Sequence, residues 1–597
     1  MSEESGNQGA GGSGASFWER LRENPQWVLY ALGAGLLYFV ATEFFRRFPH
    51  SGDEYAYVYQ ANTFLAGRLV NPLSPFPPTY TVVHTISMPW GMFSKYPPGW
   101  PVVLALGEAL SLGFLVGPAI GLITLILGYR LAERLAGRQS ALVMTALLAT
   151  NGFFLFNSAS FYPHAPVMLA LILIFDHLER YYRAPATRDA VIASAALAFV
   201  VLARPFDGAL ILGILLPVLA IYFFRNLSKP LARDTAIAVS IQVLAVGIYL
   251  LYNKGTTHEY FTFGHQLADA TDRPELAPTK MGAPFLFRAG RYLEVFWPLI
   301  LAPLALFIRR DDPAPNRRLL IGFFAFSLLF WVGYATYLVP DLPPRYGSRY
   351  LYPTLFPLAL LAAVALMQVL RGTARWIVLA LLCGAQLVQV YNAGAGIQMA
   401  IDAGTGLYQA STYLGAALKP EKMAVAIQGS SGSIPSVDLV RNDLDYKQDV
   451  LFMRTPLGLR PPVPAAQARV RYVWDGIGGA PVLWSDEAEA RVPMFVLSSP
   501  QPTALPREDR PGWVLVTGSN RCFGEHYIYP GTRLDTWARM GPCPGPSNVS
   551  WAPMPALSPQ DAAAQHAERF YVHYRTFVTI DKEQDYSFAL RSSGGGA

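Results

Sequence analysis

The sequence predicts an α-helical protein that crosses the membrane many times and carries a C-terminal mixed α/β domain outside the membrane. Of its 597 residues, 52% are hydrophobic and 15% are charged, whereas soluble domains carry about 25% charged residues. The long apolar runs lie in residues 27–393, and residues 394–597 have the composition of a soluble domain. Most of the net charge of +6 lies in the membrane loops, so we expect no binding to nucleic acid.

Eleven segments are apolar over roughly the 20 residues that a membrane-spanning helix requires. They lie near residues 27–45, 114–134, 139–157, 164–182, 188–203, 206–224, 232–252, 293–308, 318–338, 350–370 and 374–393. The apolar stretch 99–112 is shorter and contains Glu108. We therefore expect it to form a helix that lies at the membrane interface.

Basic residues predict the orientation of these spans. With the N-terminus inside, the inward loops contain fifteen Arg and Lys residues, whereas the short outward loops contain only Arg204, Arg345 and Arg349. Cytoplasmic loops are enriched in Arg and Lys. This bias predicts a multi-pass membrane protein whose residues 1–26, a disordered or amphipathic segment, lie in the cytoplasm and whose domain at residues 394–597 lies on the outer side.

The first outward loop, residues 46–113, contains two adjacent candidate catalytic acids, Asp53 and Glu54. Adjacent side chains point in different directions, so one carboxylate is the expected general base and the other is expected to hold a loop or a cation. The alternative is a solvated start of a helix, capped by Ser51 or Asp53.

The same loop contains a candidate phosphate-binding residue, Lys95, and a candidate substrate-binding residue, His84. The dipeptide Pro97-Pro98 favours an extended chain close to Lys95, which holds this lysine near the membrane surface. There it is suited to a lipid phosphate. The alternative is a lysine that extends from the interface into water.

Two short outward connections contain further candidates for substrate binding. Tyr162 and His164 lie at the start of the fourth span, where a histidine can orient a hydroxyl, accept a proton, bind a metal or have a structural role. Arg204 and Asp207 lie where the fifth and sixth spans meet. Charges at span ends that face a helix bundle are functional candidates, and the alternative is that these two residues pair with each other.

Loop 339–349 shows the strongest local signal for an anion site. Arg345 and Arg349 are basic residues in an outward loop, and Tyr346 lies between them. Guanidinium groups bind phosphate in a bidentate manner, so we expect these residues to bind a donor phosphate. The alternative is a pair of interfacial anchors.

The long outward loop 253–292 is expected to act as a lid or to bind the acceptor, with His258 and His265 as substrate-binding candidates. The spacing of these histidines matches no zinc motif. We therefore predict no metal site and no cofactor, although a divalent metal is compatible with the residues.

The C-terminal region alternates apolar segments with turns rich in Pro and Gly. Strands are expected near residues 423–428, 469–474, 491–498, 512–517 and 569–579, and a helix near 406–418. Cys522 and Cys543 are a possible disulfide in an oxidising compartment. We expect this domain to cover the site or to bind the acceptor.

Three short motifs, taken together with their order and sidedness, resemble the GT-C superfamily of membrane glycosyltransferases. The motifs are Gly52-Asp53-Glu54, Lys95-Tyr96-Pro97-Pro98, and Pro344-Arg345-Tyr346 followed by Tyr350-Leu351-Tyr352-Pro353. The most similar branch contains the protein O-mannosyltransferases and the lipid A aminoarabinose transferases. Members of this branch use polyprenyl-phosphate sugars.

The resemblance implies Asp53 as the catalytic base, Lys95 as a ligand of the donor phosphate, and Arg345 or Arg349 as a second one. It also implies a donor that needs no metal. Because the chain resembles bacterial members, the resemblance further implies an inner or plasma membrane, with the domain at residues 394–597 in the periplasm. The sequence departs from the family at Tyr162-Pro163-His164, where members often have an aspartate. This difference suggests a subfamily with its own acceptor.

These observations predict an inverting glycosyltransferase that moves a sugar from a polyprenyl-phosphate donor to a hydroxyl of a lipid, glycan or protein acceptor. One base and a direct displacement require no second nucleophile. A transporter or flippase of a lipid-linked substrate is the alternative, but it would require ionisable residues within the spans. A non-catalytic scaffold is a third possibility, and it leaves the acids and the outward arginines unexplained.

Overall fold

The computed structural model describes most of the predicted membrane region and short parts of the C-terminal region. The described residues are 23–49, 51–73, 84–267, 275–276, 282–307, 317–338, 348–417, 423–428, 442–447, 450–455, 469–474, 482–485, 513–519, 548–552 and 570–576. The chain divides into two units. The first unit contains Met1–Thr42, Leu115–Val243 and Leu276–Ala393, and the second contains Glu43–Phe114, Leu244–Glu275 and Gly394–Ala597.

Helices make up most of the described residues before residue 418. The α-helices are α1 (Gln26–Phe39), α2 (Gly52–Leu65), α3 (Gly99–Glu108), α4 (Gly113–Ala149), α5 (Gly152–Ala159), α6 (His164–Arg183), α7 (Thr187–Ala203), α8 (Pro205–Arg225), α9 (Lys229–Thr257), α10 (Gly264–Leu267), α11 (Gly282–Val295), α12 (Arg317–Ala335), α13 (Leu355–Val369) and α14 (Thr373–Ala417). A π-helical turn follows α1 at Val40–Phe44, and 3₁₀ helices occupy Trp297–Phe307 and Arg349–Thr354.

Among the described residues, seven helices are long and apolar enough to cross a membrane, as expected for a multi-pass membrane protein. The number rises to nine if each of two bent helix pairs, α5 with α6 and α11 with Trp297–Phe307, forms one span. Two further observations bear on the predicted count of eleven spans. Helix α7 has 17 residues, fewer than the roughly 20 that a span requires. Helix α4 is broken at Gly137, where φ is 81°, and its two parts overlap two predicted spans. The count of eleven therefore stays a prediction.

The centre of the first unit is helix α13. Its residues Leu355–Leu366 are all buried, and a helix that is apolar on every side is suited to the core of a large protein or to a membrane span. Helix α12 and the 3₁₀ helix Trp297–Phe307 pack against it. This packing fixes the position of the preceding 3₁₀ helix, which begins at Arg349.

In the second unit, helix α2 packs against α3 and a β-hairpin. The hairpin consists of β1 (Thr85–Met88) and β2 (Gly91–Ser94), which pair antiparallel with Thr85 opposite Ser94. The predicted interfacial stretch 99–112 contains α3, whose ten residues are too few to span a bilayer. Its location at the interface stays a prediction.

The remaining strands are short. They are β3 (Glu275–Leu276), β4 (Tyr337–Leu338), β5 (Met423–Gln428), β6 (Val450–Thr455), β7 (Arg469–Trp474), β8 (Val482–Ser485), β9 (Trp513–Ser519), β10 (Asn548–Ala552) and β11 (Phe570–Thr576). One sheet has the order β6-β5-β7-β8, in which β5 is parallel to β6 and β7. A second, antiparallel sheet has the order β10-β9-β11.

The strands and the helix expected in the C-terminal region are present where the structure describes it. Residues 423–428 and 469–474 form strands, the strands expected near 512–517 and 569–579 overlap β9 and β11, and the expected helix at 406–418 overlaps α14. The expected strand at 491–498 lies outside the described residues, as do Cys522 and Cys543. A mixed α/β domain in this region stays a prediction.

Candidate active site

The two adjacent acids of the first outward loop have different environments. Glu54 is completely buried and bonds the N-cap residue Ser51 at the start of α2. The Ser51 hydroxyl accepts a hydrogen bond from the Glu54 amide at 3.2 Å and donates one to the Glu54 carboxylate at 3.2 Å. The first of these bonds satisfies a backbone donor that a helix start leaves unpaired. Ser51 is thus the cap, one of the two residues that the sequence suggested for that role.

Asp53 lies in a cluster of polar and aromatic side chains in the second unit. Its Oδ1 accepts a hydrogen bond from the Tyr96 hydroxyl and lies 3.4 Å from Nε2 of His84. About one sixth of the Asp53 side chain is exposed, at 17%. The carboxylate is therefore held in place and still reachable from solvent, which a general base requires.

Lys95 extends this cluster from the other side of His84. Its ammonium lies 2.9 Å from Nδ1 of His84 and 5.1 Å from the centre of the Tyr96 ring. Lys95 is buried, with only 4% of the residue exposed. A snorkelling lysine would keep its ammonium in water, so the contacts of Lys95 favour a role inside the cluster.

Tyr96 is packed among three aromatic rings. The ring of Tyr57 lies 4.3 Å from it, His265 lies 5.3 Å away edge-on, and His84 lies 6.3 Å away. Such pairs fix the orientation of an aromatic ring. The Tyr96 hydroxyl is therefore aimed at Asp53 by its own packing, and the structure brings His265 to this cluster as well.

Gln60 connects α2, which carries Asp53, to the hairpin that ends at Lys95. Its side chain is completely buried. Its Oε1 accepts a hydrogen bond from the Ser94 amide at 2.9 Å, and its Nε2 donates one to the Leu69 carbonyl at 3.1 Å. Since buried polar groups are costly when unpaired, Gln60 fixes the distance between the two elements.

His258 lies elsewhere in the second unit, after the end of α9. Its ring stacks on Trp90 at 4.0 Å, and the Trp90 indole donates a hydrogen bond to the Thr256 carbonyl at 2.9 Å. Thus two histidines of the long outward loop, His258 and His265, contact the first outward loop at different places. Their expected role in substrate binding stays a prediction.

In the first unit, Arg204 and Asp207 pair with each other. The Arg204 Nε lies 2.7 Å from Asp207, which is completely buried. Tyr334 donates a hydrogen bond to the same carboxylate and accepts one from Arg204 at 3.0 Å. This ion pair is the alternative that the sequence left open. Arg204 also lies 5.5 Å from the centre of the Tyr350 ring, so it takes part in a larger aromatic cluster.

Arg288 of helix α11 is a second buried arginine in this unit. It donates hydrogen bonds to the backbone carbonyls of Tyr334 and Tyr337, and it lies 5.9 Å from the centre of the Tyr350 ring.

Arg349 is the third arginine of this cluster. It lies 4.7 Å from the centre of the Tyr162 ring and 5.4 Å from that of Tyr350. His164 is buried beside the same rings, 5.3 Å from Tyr162 and 6.4 Å from Tyr350. The predicted candidates Tyr162, His164, Arg204, Asp207 and Arg349 therefore lie in one aromatic and basic cluster within the first unit.

Among the described residues of this cluster, the positive charge exceeds the negative charge. Three guanidinium groups there face aromatic rings, and the one described carboxylate, that of Asp207, is paired with Arg204. Arginine binds phosphate well because its planar donors match the phosphate oxygens and its plane stacks on aromatic rings. Arg345 and Tyr346 lie outside the described residues, so their predicted contact with phosphate stays a prediction.

Within the described part of the chain, no three side chains of His, Cys, Asp or Glu lie together in an arrangement that suits a metal ion.

The sequence left three residues of these clusters without a role. Tyr96 was part of a motif but not expected to bind Asp53, and Arg288 and Tyr334 were not singled out. Arg288 lies in the long outward loop that the sequence predicts to be a lid or to bind the acceptor. The structure places it in helix α11, where Arg288 and Tyr292, four residues apart, are buried on one face.

No protein-family model and no curated protein matches the chain. Among solved structures, the chain is similar to ArnT from Cupriavidus metallidurans bound to undecaprenyl phosphate, with 14% identity, a TM-score of 0.49, and coverage of 72% of this chain and 86% of that one. It is also similar to the mycobacterial arabinofuranosyltransferase AftD, with 15% identity, a TM-score of 0.41, and coverage of 68% and 29%.

A third similar structure is the oligosaccharyltransferase of Archaeoglobus fulgidus, with 13% identity, a TM-score of 0.37, and coverage of 67% of this chain and 60% of that one. At these low identities, the roles of individual residues depend on the geometry of the two clusters.

Proposed function

We propose that this protein is an inverting glycosyltransferase that moves a sugar from a polyprenyl-phosphate donor to a hydroxyl group of an acceptor, with Asp53 as the general base. The arrangement of the two adjacent acids carries this proposal. Glu54 is engaged in the cap of α2, whereas Asp53 is partly exposed and is held by Tyr96 next to His84 and Lys95.

The proposed reaction is a single displacement at the anomeric carbon. The acceptor oxygen forms a bond to this carbon while the bond between the carbon and the phosphate oxygen breaks. The bonding electrons leave with the phosphate, and the acceptor proton goes to the Asp53 carboxylate. One attack from the side opposite the leaving group inverts the configuration, so no second nucleophile is needed.

We assign Lys95 to the charge of the donor phosphate, in the same cluster of the second unit as Asp53. Fixed positive groups that face a developing negative charge stabilise a transition state more than flexible ones do. Within the first unit, the cluster of Arg204, Arg288 and Arg349 is proposed to bind a phosphate group. The proposal includes no metal ion.

The proposed reaction takes place on the outward, periplasmic side of an inner membrane. The proposed protein crosses this membrane eleven times and has its C-terminal domain outside. The acceptor is a lipid, a glycan or a protein. Arg345 and Tyr346 are assigned to binding of the donor phosphate. Tyr162, His164 and the histidines of the long outward loop are assigned to substrate binding, and Cys522 and Cys543 to a disulfide of the outer domain.

The test compares two neutralised carboxylates in the purified full-length protein. Asp53→Asn removes the proposed base, whereas Glu54→Gln removes the neighbouring charge and keeps a side chain that suits a capping box. Both variants, and the wild type, are given a panel of radiolabelled polyprenyl-phosphate sugars together with membrane extract. Thermal unfolding and gel filtration in detergent show whether each variant is folded.

Loss of general-base catalysis lowers a rate by about 10²- to 10⁴-fold. We therefore expect Asp53→Asn to lose transfer by this factor and Glu54→Gln to retain transfer within a few-fold of the wild type. Equal activity of Asp53→Asn and the wild type would exclude Asp53 as the base. Absence of transfer from every donor by the folded wild type would favour a transporter of a lipid-linked substrate.

A further inference from the structure

In the second unit, His84 lies between Lys95, the proposed ligand of the donor phosphate, and Asp53, the proposed base. Its Nδ1 lies 2.9 Å from the Lys95 ammonium, and its Nε2 lies 3.4 Å from Oδ1 of Asp53. One imidazole ring therefore connects the proposed ligand of the donor phosphate with the proposed base. The ring is also close to Tyr96, at 6.3 Å between ring centres.

The partners of His84 determine where its ring proton lies. A lysine ammonium carries three donors and no acceptor, so Nδ1 of His84 must accept the hydrogen bond from Lys95. In the neutral ring, the proton is then on Nε2, which faces the Asp53 carboxylate. The ring thus accepts from the cation and donates to the anion, and both contacts favour the same tautomer.

The backbone holds His84 at this place. The Lys95 amide donates a hydrogen bond to the His84 carbonyl at 3.1 Å, which extends the hairpin of β1 and β2 by one residue pair. His84 has a φ of 65°, in the left-handed region that non-glycine residues rarely occupy. Such backbone strain persists where the surrounding structure enforces it, and it occurs often at functional sites.

The neighbouring chain leaves little room for Lys95 to move. At Gly264, the first residue of α10, an added Cβ would lie 2.7 Å from the Cα of Lys95. The next residue, His265, contacts the Tyr96 ring at 5.3 Å. The backbone of Lys95 is therefore confined by α10 on one side and bonded to His84 on the other.

We propose that His84 is a positioning residue that orients Lys95 for the donor phosphate through Nδ1 and Asp53 for the acceptor proton through Nε2. This proposal depends on the proposed function and adds a connection between phosphate binding and proton removal. His84 acts through two other residues and does not touch the reacting atoms itself. Each of its nitrogens then has a separate effect, one on binding of the phosphate and the other on catalysis.

Two substitutions separate these effects. Asn has its carbonyl oxygen as many bonds from Cβ as Nδ1 of histidine, so His84→Asn keeps an acceptor for Lys95 and loses the donor to Asp53. Gln has its amide nitrogen as many bonds from Cβ as Nε2, so His84→Gln keeps the donor to Asp53 and loses the acceptor for Lys95. Asn also tolerates a positive φ better than most residues.

The experiment measures the Kd for undecaprenyl phosphate and the kcat for sugar transfer with the full-length protein. Loss of a hydrogen bond to a charged group changes an equilibrium or a rate by about tenfold or more. For His84→Gln we expect the Kd to rise about tenfold with kcat near that of the wild type, and for His84→Asn we expect kcat to fall about tenfold with Kd near that of the wild type. Thermal unfolding of each variant monitors the fold.

A double-mutant cycle tests whether His84 acts through Lys95. If it does, His84→Gln causes no further rise of Kd when Lys95→Met is already present, because the two changes remove the same interaction. Additive effects of the two changes would overturn the proposal. So would an equal loss of affinity and kcat in His84→Asn and His84→Gln, since a merely structural role affects both measurements alike.

The binding measurement separates this proposal from the proposed function. If the folded wild type binds undecaprenyl phosphate and the two His84 variants behave alike, only the role of His84 is overturned. If the folded wild type binds no undecaprenyl phosphate at any accessible concentration, the proposed donor class and the role of His84 are both overturned.

Discussion

The hydroxyl of Ser51 accepts a hydrogen bond from the amide of Glu54 and donates one to its carboxylate, each at 3.2 Å. This reciprocal pair starts helix α2 and occupies one of two adjacent acids. The neighbouring acid, Asp53, points to Tyr96 and His84 instead. The cap thus separates the two carboxylates into a structural one and a proposed catalytic one.

Removal of the cap should lower both stability and transfer. Ser51→Ala leaves the Glu54 amide and a buried carboxylate without this partner, so we expect the free energy of unfolding to fall by about 1 kcal/mol. Transfer should fall as well, because Asp53 lies in the first turn of the same helix. Ser51→Thr keeps the hydroxyl and is the control. Thermal unfolding in detergent and the transfer assay check this prediction, and equal stability of Ser51→Ala and wild type would contradict it.

Gln60 should set the distance between the helix of Asp53 and the hairpin of Lys95. Gln60→Met keeps a similar volume but leaves the Ser94 amide and the Leu69 carbonyl unpaired, so we expect a loss of about 2–3 kcal/mol in the free energy of unfolding. A small displacement of catalytic groups lowers kcat strongly, so kcat should fall in the same variant.

Leu65→Ala, at the exposed end of the same helix, provides the control for Gln60→Met. It should change neither kcat nor stability by a comparable amount. A Gln60→Met variant with wild-type kcat would show that the hairpin keeps its place without this residue.

Arg349 should contribute to phosphate binding through its planar guanidinium. Arg349→Lys keeps the charge but loses the stacking on Tyr162, so we expect the affinity for undecaprenyl phosphate to fall about tenfold. Tyr162→Phe keeps the ring and should bind nearly as well as the wild type. Isothermal titration in detergent measures these affinities, and an Arg349→Lys variant with unchanged affinity would argue against this site.

The ion pair between Arg68 and Asp445 should stabilise the second unit in a pH-dependent manner. Arg68 bonds both carboxylate oxygens, at 2.6 and 3.3 Å. The hydrogen bond from Arg68 lowers the pKa of Asp445 below its usual value. A lowered pKa in the folded state adds stability above the ordinary aspartate pKa of about 3.9, and this contribution disappears as the pH falls through the lower, folded value.

We therefore expect the difference in Tm between the wild type and Asp445→Asn to be largest near neutral pH and to close in acid. Both side chains are about one third exposed, at 36% and 33%, so the difference should be small and should shrink in high salt. Arg68→Gln should reproduce the behaviour of Asp445→Asn. If the difference in Tm between the wild type and Asp445→Asn grew toward low pH, it would contradict a stabilising ion pair between Arg68 and Asp445.

Prediction of the helices from the sequence succeeded where local apolar periodicity is strong. Helices α1, α8, α12 and α13 lie close to the predicted spans, because length and hydrophobicity are local properties of the chain. The break at Gly137 lies in the predicted inward loop between residues 134 and 139, and the bend of 109° between α5 and α6 lies at the predicted outward loop 158–163. Hydropathy predicts where such breaks occur, but it carries no information on the angle between the two helices.

By itself, the sequence determined that this protein has many apolar helices, that its polar candidates gather at the ends of those helices, and that Asp53 and Lys95 belong to one loop. These features depend on neighbouring residues in the chain, so composition and spacing are enough to find them. The tertiary structure alone decided that Glu54 rather than Asp53 bonds the capping residue Ser51, that His84 lies between Lys95 and Asp53, and that Arg288 binds the carbonyls of Tyr334 and Tyr337. Those contacts join residues 3 to 49 positions apart, and nearly all of them depend on how separate elements pack, which no local pattern specifies.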